Sequence, residues 1–175
     1  MDETARSLQA AQWTAPVSFL PPAVREPRRL WLSIVIGWLT AFLPSLLIGA
    51  LVTHLFPQSA QPQLPVSNWL GVFLMVVFAP VTETLIMASV LAILLRFVPP
   101  TVAVVISAIG WGVAHSMAAP AWGLVIWWPF FVFSTLFVAW RRHSLAAAIL
   151  VPASAHALQN LLPALLLFYG AGTAI

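Results

Sequence analysis

The sequence predicts an all-α fold, a polytopic transmembrane helical bundle of about five spans, and three observations carry that prediction. Hydrophobic residues make up 62% of the 175 positions and charged residues only 6%, with a mean hydropathy of +1.00, far outside the averages of soluble domains. Apolar runs long enough to cross a bilayer recur along the chain. Prolines and arginine clusters separate them.

The elements follow in order. Residues 1–29 carry Asp2, Glu3, Arg6, Arg25, Glu26, Arg28 and Arg29 with four prolines, and read as a polar cytoplasmic lead-in with Trp13 and Phe19 resting at headgroup level. The first span, 30–56, is too long for a signal-peptide core and lacks a small-residue cleavage site, so it is an anchor. The others cover about 68–98, 101–119, 121–140 and 144–168. Pro57-Gln58-Ser59, Pro99-Pro100, Pro120 and Arg141-Arg142-His143 mark the breaks. Residues 30–175 form one transmembrane domain with a core at about 69–165, and no internal repeat is visible.

Charge fixes the expected orientation. Arg25, Arg28 and Arg29 precede the first span, Arg96 closes the second, and Arg141 and Arg142 close the fourth, whereas segments 57–67, 117–121 and 169–175 are uncharged. Every arginine cluster therefore falls on one side, which the positive-inside rule makes cytoplasmic, leaving the C-terminus outside. All 7 basic residues are arginine, so the high isoelectric point reflects scarce charge and not a nucleic-acid-binding surface. With 0 cysteines, disulfides, thiolate catalysis and Cys-ligated zinc are excluded.

Glu83 is the only acidic residue after position 26 and sits inside the second span. An intramembrane carboxylate costs on the order of 3 kcal/mol and marks a functional site by default. His115, His156 and Asn160 lie in later spans. Glu83 is 13 residues from Arg96, His115 is 14 from Thr101 and His156 is 13 from His143. At about 1.5 Å per helical residue all three stand roughly 20 Å from the cytoplasmic boundary, closer to the outer face of a core roughly 30 Å thick. Asn160, one turn beyond His156, shares its helix face. Intramembrane His and Asn also serve as interhelical hydrogen-bond glue, but a carboxylate at the same level favours a site. His54 and His143 fall at span ends and read as interfacial bystanders. Trp122, Trp127 and Trp128 on the fourth span fit lipid, substrate or packing equally.

These residues resemble the CAAX-protease and bacteriocin-processing family, also called the Abi family, whose best-known eukaryotic relative is the Ras-converting endopeptidase. The resemblance covers roughly 69–165. Ala79-Pro80-Val81-Thr82-Glu83 looks like the first motif, Trp111-Gly112-Val113-Ala114-His115 like the second, and His156-Ala157-Leu158-Gln159-Asn160 like the third. Where the family usually has a second glutamate and an arginine, this chain has Thr84 and Ala88. Both members of a potential ion pair are absent, so neither charge is stranded.

The resemblance implies an intramembrane endopeptidase without a cofactor. Glu83 and His115 would activate a water, Glu83 as general base, while His156 and Asn160 would donate to the oxyanion. Its partners would be the bilayer and a membrane-anchored protein or peptide, such as a CAAX tail, sorting tail or leader, in a prokaryotic inner membrane. Other proteolytic chemistries fail by absence: Asp2 is the only aspartate, there is no lysine, and no His-Glu-x-x-His segment occurs. Ser107, Ser116 and Ser154 lie near the histidines without a nucleophile-elbow motif. Glu83, His115 and His156 also form a His2Glu set of zinc-ligand type, although the resemblance favours a metal-free mechanism. Two other classes stand beside the protease. One is an inactive membrane scaffold or immunity protein of the same fold, and the other is a transporter using Glu83 as a relay, which would want an inverted repeat.

Overall fold

The computed structural model describes residues 13–59 and 68–169. The charged residues Asp2, Glu3 and Arg6 and the uncharged segments 60–67 and 170–175 lie outside them. Among the described residues the chain is helical, with five helices long and apolar enough to cross a membrane: α1 (Leu30–Leu55), α2 (Trp69–Leu94), α3 (Pro100–Ala118), α4 (Gly123–Trp140) and α5 (Leu145–Tyr169). Their boundaries follow the sequence breaks. Pro100 occupies the first turn of α3, where its missing N–H costs nothing. The second helix stops at Leu94, so Arg96 sits in the turn that follows and not on the span.

The helices alternate in direction, and side-chain contacts fix the register. On α1 and α4, Gly37 meets Leu136 and Gly49 meets Val125. On α3 and α4, Trp111 stacks on Phe130 and the hydroxyls of Ser107 and Ser134 lie 2.9 Å apart. Arg25, Arg28, Arg29, Arg96, Arg141 and Arg142 therefore gather at one end of the bundle.

The central helix is α4, which packs most extensively on α3, then on α1 and α5. Every residue from Pro129 to Trp140 is buried, while leucines and isoleucines on the outer faces of the other helices remain exposed. A lipid-facing exterior requires no burial, so helix association depends on close packing and interhelical hydrogen bonds. The closest approach is at Gly112 and Gly123, where a Cβ on Gly123 would collide with the Gly112 carbonyl.

The lead-in segment departs from expectation. Trp13 is only 5% exposed and donates its indole N–H to the Arg25 carbonyl at 2.8 Å, and Val17, Leu20 and Val24 join the same core cluster. Trp13 is thus packed inside the bundle and does not rest on headgroups. Val17, Leu20, Ala23 and Val24 of this segment are buried, and the short helix Pro22–Arg25 packs on α1 and α4. Phe19 is exposed, and Glu26 pairs with Arg28 at 3.0 Å.

Candidate active site

The site begins with a proline. Leu74–Phe78, just before Ala79-Pro80, is wound as a π-helix, and the Ala79 N–H returns to the Leu74 carbonyl. In that i to i+5 register the Met75 carbonyl would take its hydrogen from residue 80. Residue 80 is proline and has none. The vacant acceptor is filled from α5: Asn160 donates its side-chain amide to the Met75 carbonyl at 2.9 Å. This bond ties the wide turn of α2 to α5 about two turns before Glu83.

Along the same two helices, Glu83 Oε2 lies 3.9 Å from His156 Nε2. That distance exceeds a direct hydrogen bond and allows a shared water. The His156 side chain is 7% exposed and that of Glu83 is 25% exposed. Phe133 stacks on the His156 ring with centroids 4.9 Å apart, and Phe130 meets it edge-on at 5.3 Å. His156 Nδ1 is buried without a hydrogen-bond partner.

His115 reaches the site through Phe130, whose ring lies 5.7 Å from the His115 ring and 4.2 Å from that of Trp111. His115 Nδ1 is 2.9 Å from the Trp111 carbonyl. A carbonyl can only accept, so Nδ1 carries the hydrogen and, in the neutral ring, Nε2 presents a lone pair. Glu83, His156 and Asn160 thus lie along the α2/α5 seam, and Phe130 is a neighbour of both His156 and His115. No hydrogen bond joins Glu83 to His115. His54 and His143 are exposed at helix ends.

A cavity of about 80 Å³ adjoins His156 and Asn160, room for a few waters or a small side chain. Its walls are mainly apolar, from Met75, Ile126, Pro129, Phe130 and Phe133, with Gln159 adding a polar group. Gln159 Oε1 is buried without a partner. Thr84 and Ala88, at the positions where the family motif has charges, are both buried on α2. Among the described residues no three His, Asp or Glu side chains are grouped closely enough to hold a metal ion.

Met75, Phe130, Phe133 and Gln159 were not singled out by sequence reasoning. Met75 had a signal, its place five residues before a mid-span proline. Gln159 is polar in an apolar run, next to Asn160. The two phenylalanines sit in a helix so uniformly apolar that nothing distinguishes its facing side.

The sequence model of one family, described as Rce1-like, type II CAAX prenyl endopeptidase, matches residues 65–162. That interval holds all four candidate residues. No curated protein and no solved structure matches the chain.

Proposed function

This chain belongs to the Rce1-like family of type II CAAX prenyl endopeptidases, a family of proteases, and we propose that it is itself an intramembrane endopeptidase cutting a membrane-associated protein or peptide tail. The observation that carries the reading is the approach of Glu83 and His156 to 3.9 Å inside an apolar bundle. No structural need explains a carboxylate there, and its membrane cost calls for a use.

In the proposed reaction a water is held between the Glu83 carboxylate and the free Nε2 lone pair of His115. As the water oxygen attacks the peptide carbonyl carbon, its proton passes to Glu83. The carbonyl oxygen becomes an oxyanion and accepts hydrogen bonds from His156 and from the second Nδ2 hydrogen of Asn160, the first being held by Met75. When the C–N bond breaks, Glu83 returns the proton to the leaving amine, giving a carboxylic acid and an amine, which then exchange a proton through water. The aromatic rings around His156 exclude bulk water, which strengthens each of these interactions.

The arginine end is cytoplasmic under this proposal. The site lies nearer the opposite end, since His115 is in the last turn of α3, a depth that suits sorting tails or leaders of exported proteins in a prokaryotic inner membrane. A single transmembrane domain spanning 30–175 carries the activity. One observation favours a scaffold instead: Asn160 already has a structural partner in Met75.

Cleavage of candidate tail-anchored substrates in cells expressing the wild type, Glu83→Gln or His115→Ala, each at matched membrane levels, decides between them. Cutting by the wild type alone supports the protease. Cutting by both variants sinks the catalytic assignment.

A further inference from the structure

Two chambers meet at Trp122 and Val125. The inner one is the cavity beside His156, to which Ser45 of α1 contributes. The outer one, of about 110 Å³, is lined by Gly49, Val52, Thr53 and Phe56 from the far end of α1 and by Ala121 from the loop before α4. Trp122 and Val125 line both. In the antiparallel register that sets Gly49 against Val125, Thr53 and Phe56 stand about two to three turns farther from the arginine end than Ser45. The chambers are therefore successive steps inward from that far end, with Trp122 and Val125 between them.

At the arginine end Trp13, Leu20 and Val24 are buried in one core cluster with Trp140. Within the inner chamber, Gln159 Oε1 is a buried acceptor with no donor. The other polar groups in its wall belong to His156, Asn160, Ser45 and the Trp122 indole, and the Ser45 hydroxyl is spent on the Ala41 carbonyl. Such an acceptor fits an N–H that arrives with a ligand. An extended peptide supplies one at every residue except proline, together with side chains for the apolar walls.

We propose that the two chambers form one substrate channel, entered from the end opposite the arginines and gated by the Trp122 indole, and that its occupant is an extended apolar peptide segment donating a backbone N–H to Gln159. The peptide occupant rests on the protease reading. The route does not.

The chain has 0 cysteines, so single cysteines report water access without background. Val125→Cys in nanodiscs is treated with a small cationic methanethiosulfonate, with Val24→Cys as the buried comparison at the arginine end. Trp122→Ala is expected to raise the labelling rate of Val125→Cys by about tenfold, because the thiolate forms only where water reaches it, and to leave Val24→Cys unreactive. Gly49→Leu extends a side chain into the outer chamber from a position whose Cβ meets only Val125 Cγ1, at 3.9 Å. It is expected to slow that labelling and cleavage together. Glu83→Gln is expected to abolish cleavage and leave labelling intact, so failure of the protease reading and failure of the route are separately visible. Labelling that ignores Trp122→Ala and Gly49→Leu overturns the channel, as does labelling in sealed vesicles only from the arginine side. Gln159→Leu is expected to raise KM for a peptide substrate about threefold or more with kcat retained. An unchanged KM overturns the acceptor role.

Discussion

The side-chain amide of Asn160 supplies the hydrogen that Pro80 cannot give to the Met75 carbonyl, at 2.9 Å across the α2/α5 seam. The bond links a residue of the third motif to the wide turn preceding the first. Asn160→Leu leaves a backbone carbonyl unpaired inside the bundle, at a cost of about 1 kcal/mol by the measured range of interhelical hydrogen bonds. Pro80→Ala restores an N–H at position 80. Unfolding in detergent of the two single variants and the double variant is expected to show coupling, the double variant being less destabilised than the sum. Additive losses would remove this account of the π-turn.

A second prediction concerns the closest helix contact. Gly123→Ala places a Cβ against the Gly112 carbonyl and the Ser116 hydroxyl, with backbone that cannot step aside. The expected loss is on the order of 2 kcal/mol or more, read as a lower Tm in detergent. Gly110→Ala is the comparison, since a Cβ there meets nothing within 4 Å. Helix propensity should leave it neutral or up to about 1 kcal/mol more stable.

How much of this was legible beforehand differs between levels. Five spans and their breaks follow from proline, arginine and hydropathy, because a bilayer imposes length and leaves few polar residues to interpret. Trp13 was misplaced because a single indole beside charged residues looks interfacial, and its burial depends on a tertiary contact with the Arg25 carbonyl. The facing side of α4 was unreadable for a related reason. A helix buried all round has no polar face to reveal its orientation, so the role of Phe130 as common neighbour of both histidines emerged only from packing.

The docked lead-in yields a third prediction. Trp13→Ala removes a buried ring and its hydrogen bond to Arg25, and is expected to cost about 3 kcal/mol, as other large-to-small core changes do. Phe19→Ala, at an 83% exposed position, is expected to change the Tm little. Equal effects at the two sites would show that the segment is not docked.

The last prediction concerns metal. The residue types Glu83, His115 and His156 suit a His2Glu zinc set, and such a site would make cleavage sensitive to 1,10-phenanthroline and restorable by zinc. The proposed reaction instead uses the carboxylate on a water. His115 turns its Nδ1 hydrogen to the Trp111 carbonyl, Glu83 and His156 stand 3.9 Å apart, and among the described residues no three such side chains are grouped closely enough to hold a metal ion. Cleavage is therefore expected to persist in the chelator, with zinc content of the purified protein well below one ion per chain. Inhibition reversed by added zinc, together with loss of bound zinc in His156→Ala, would move Glu83 from general base to metal ligand.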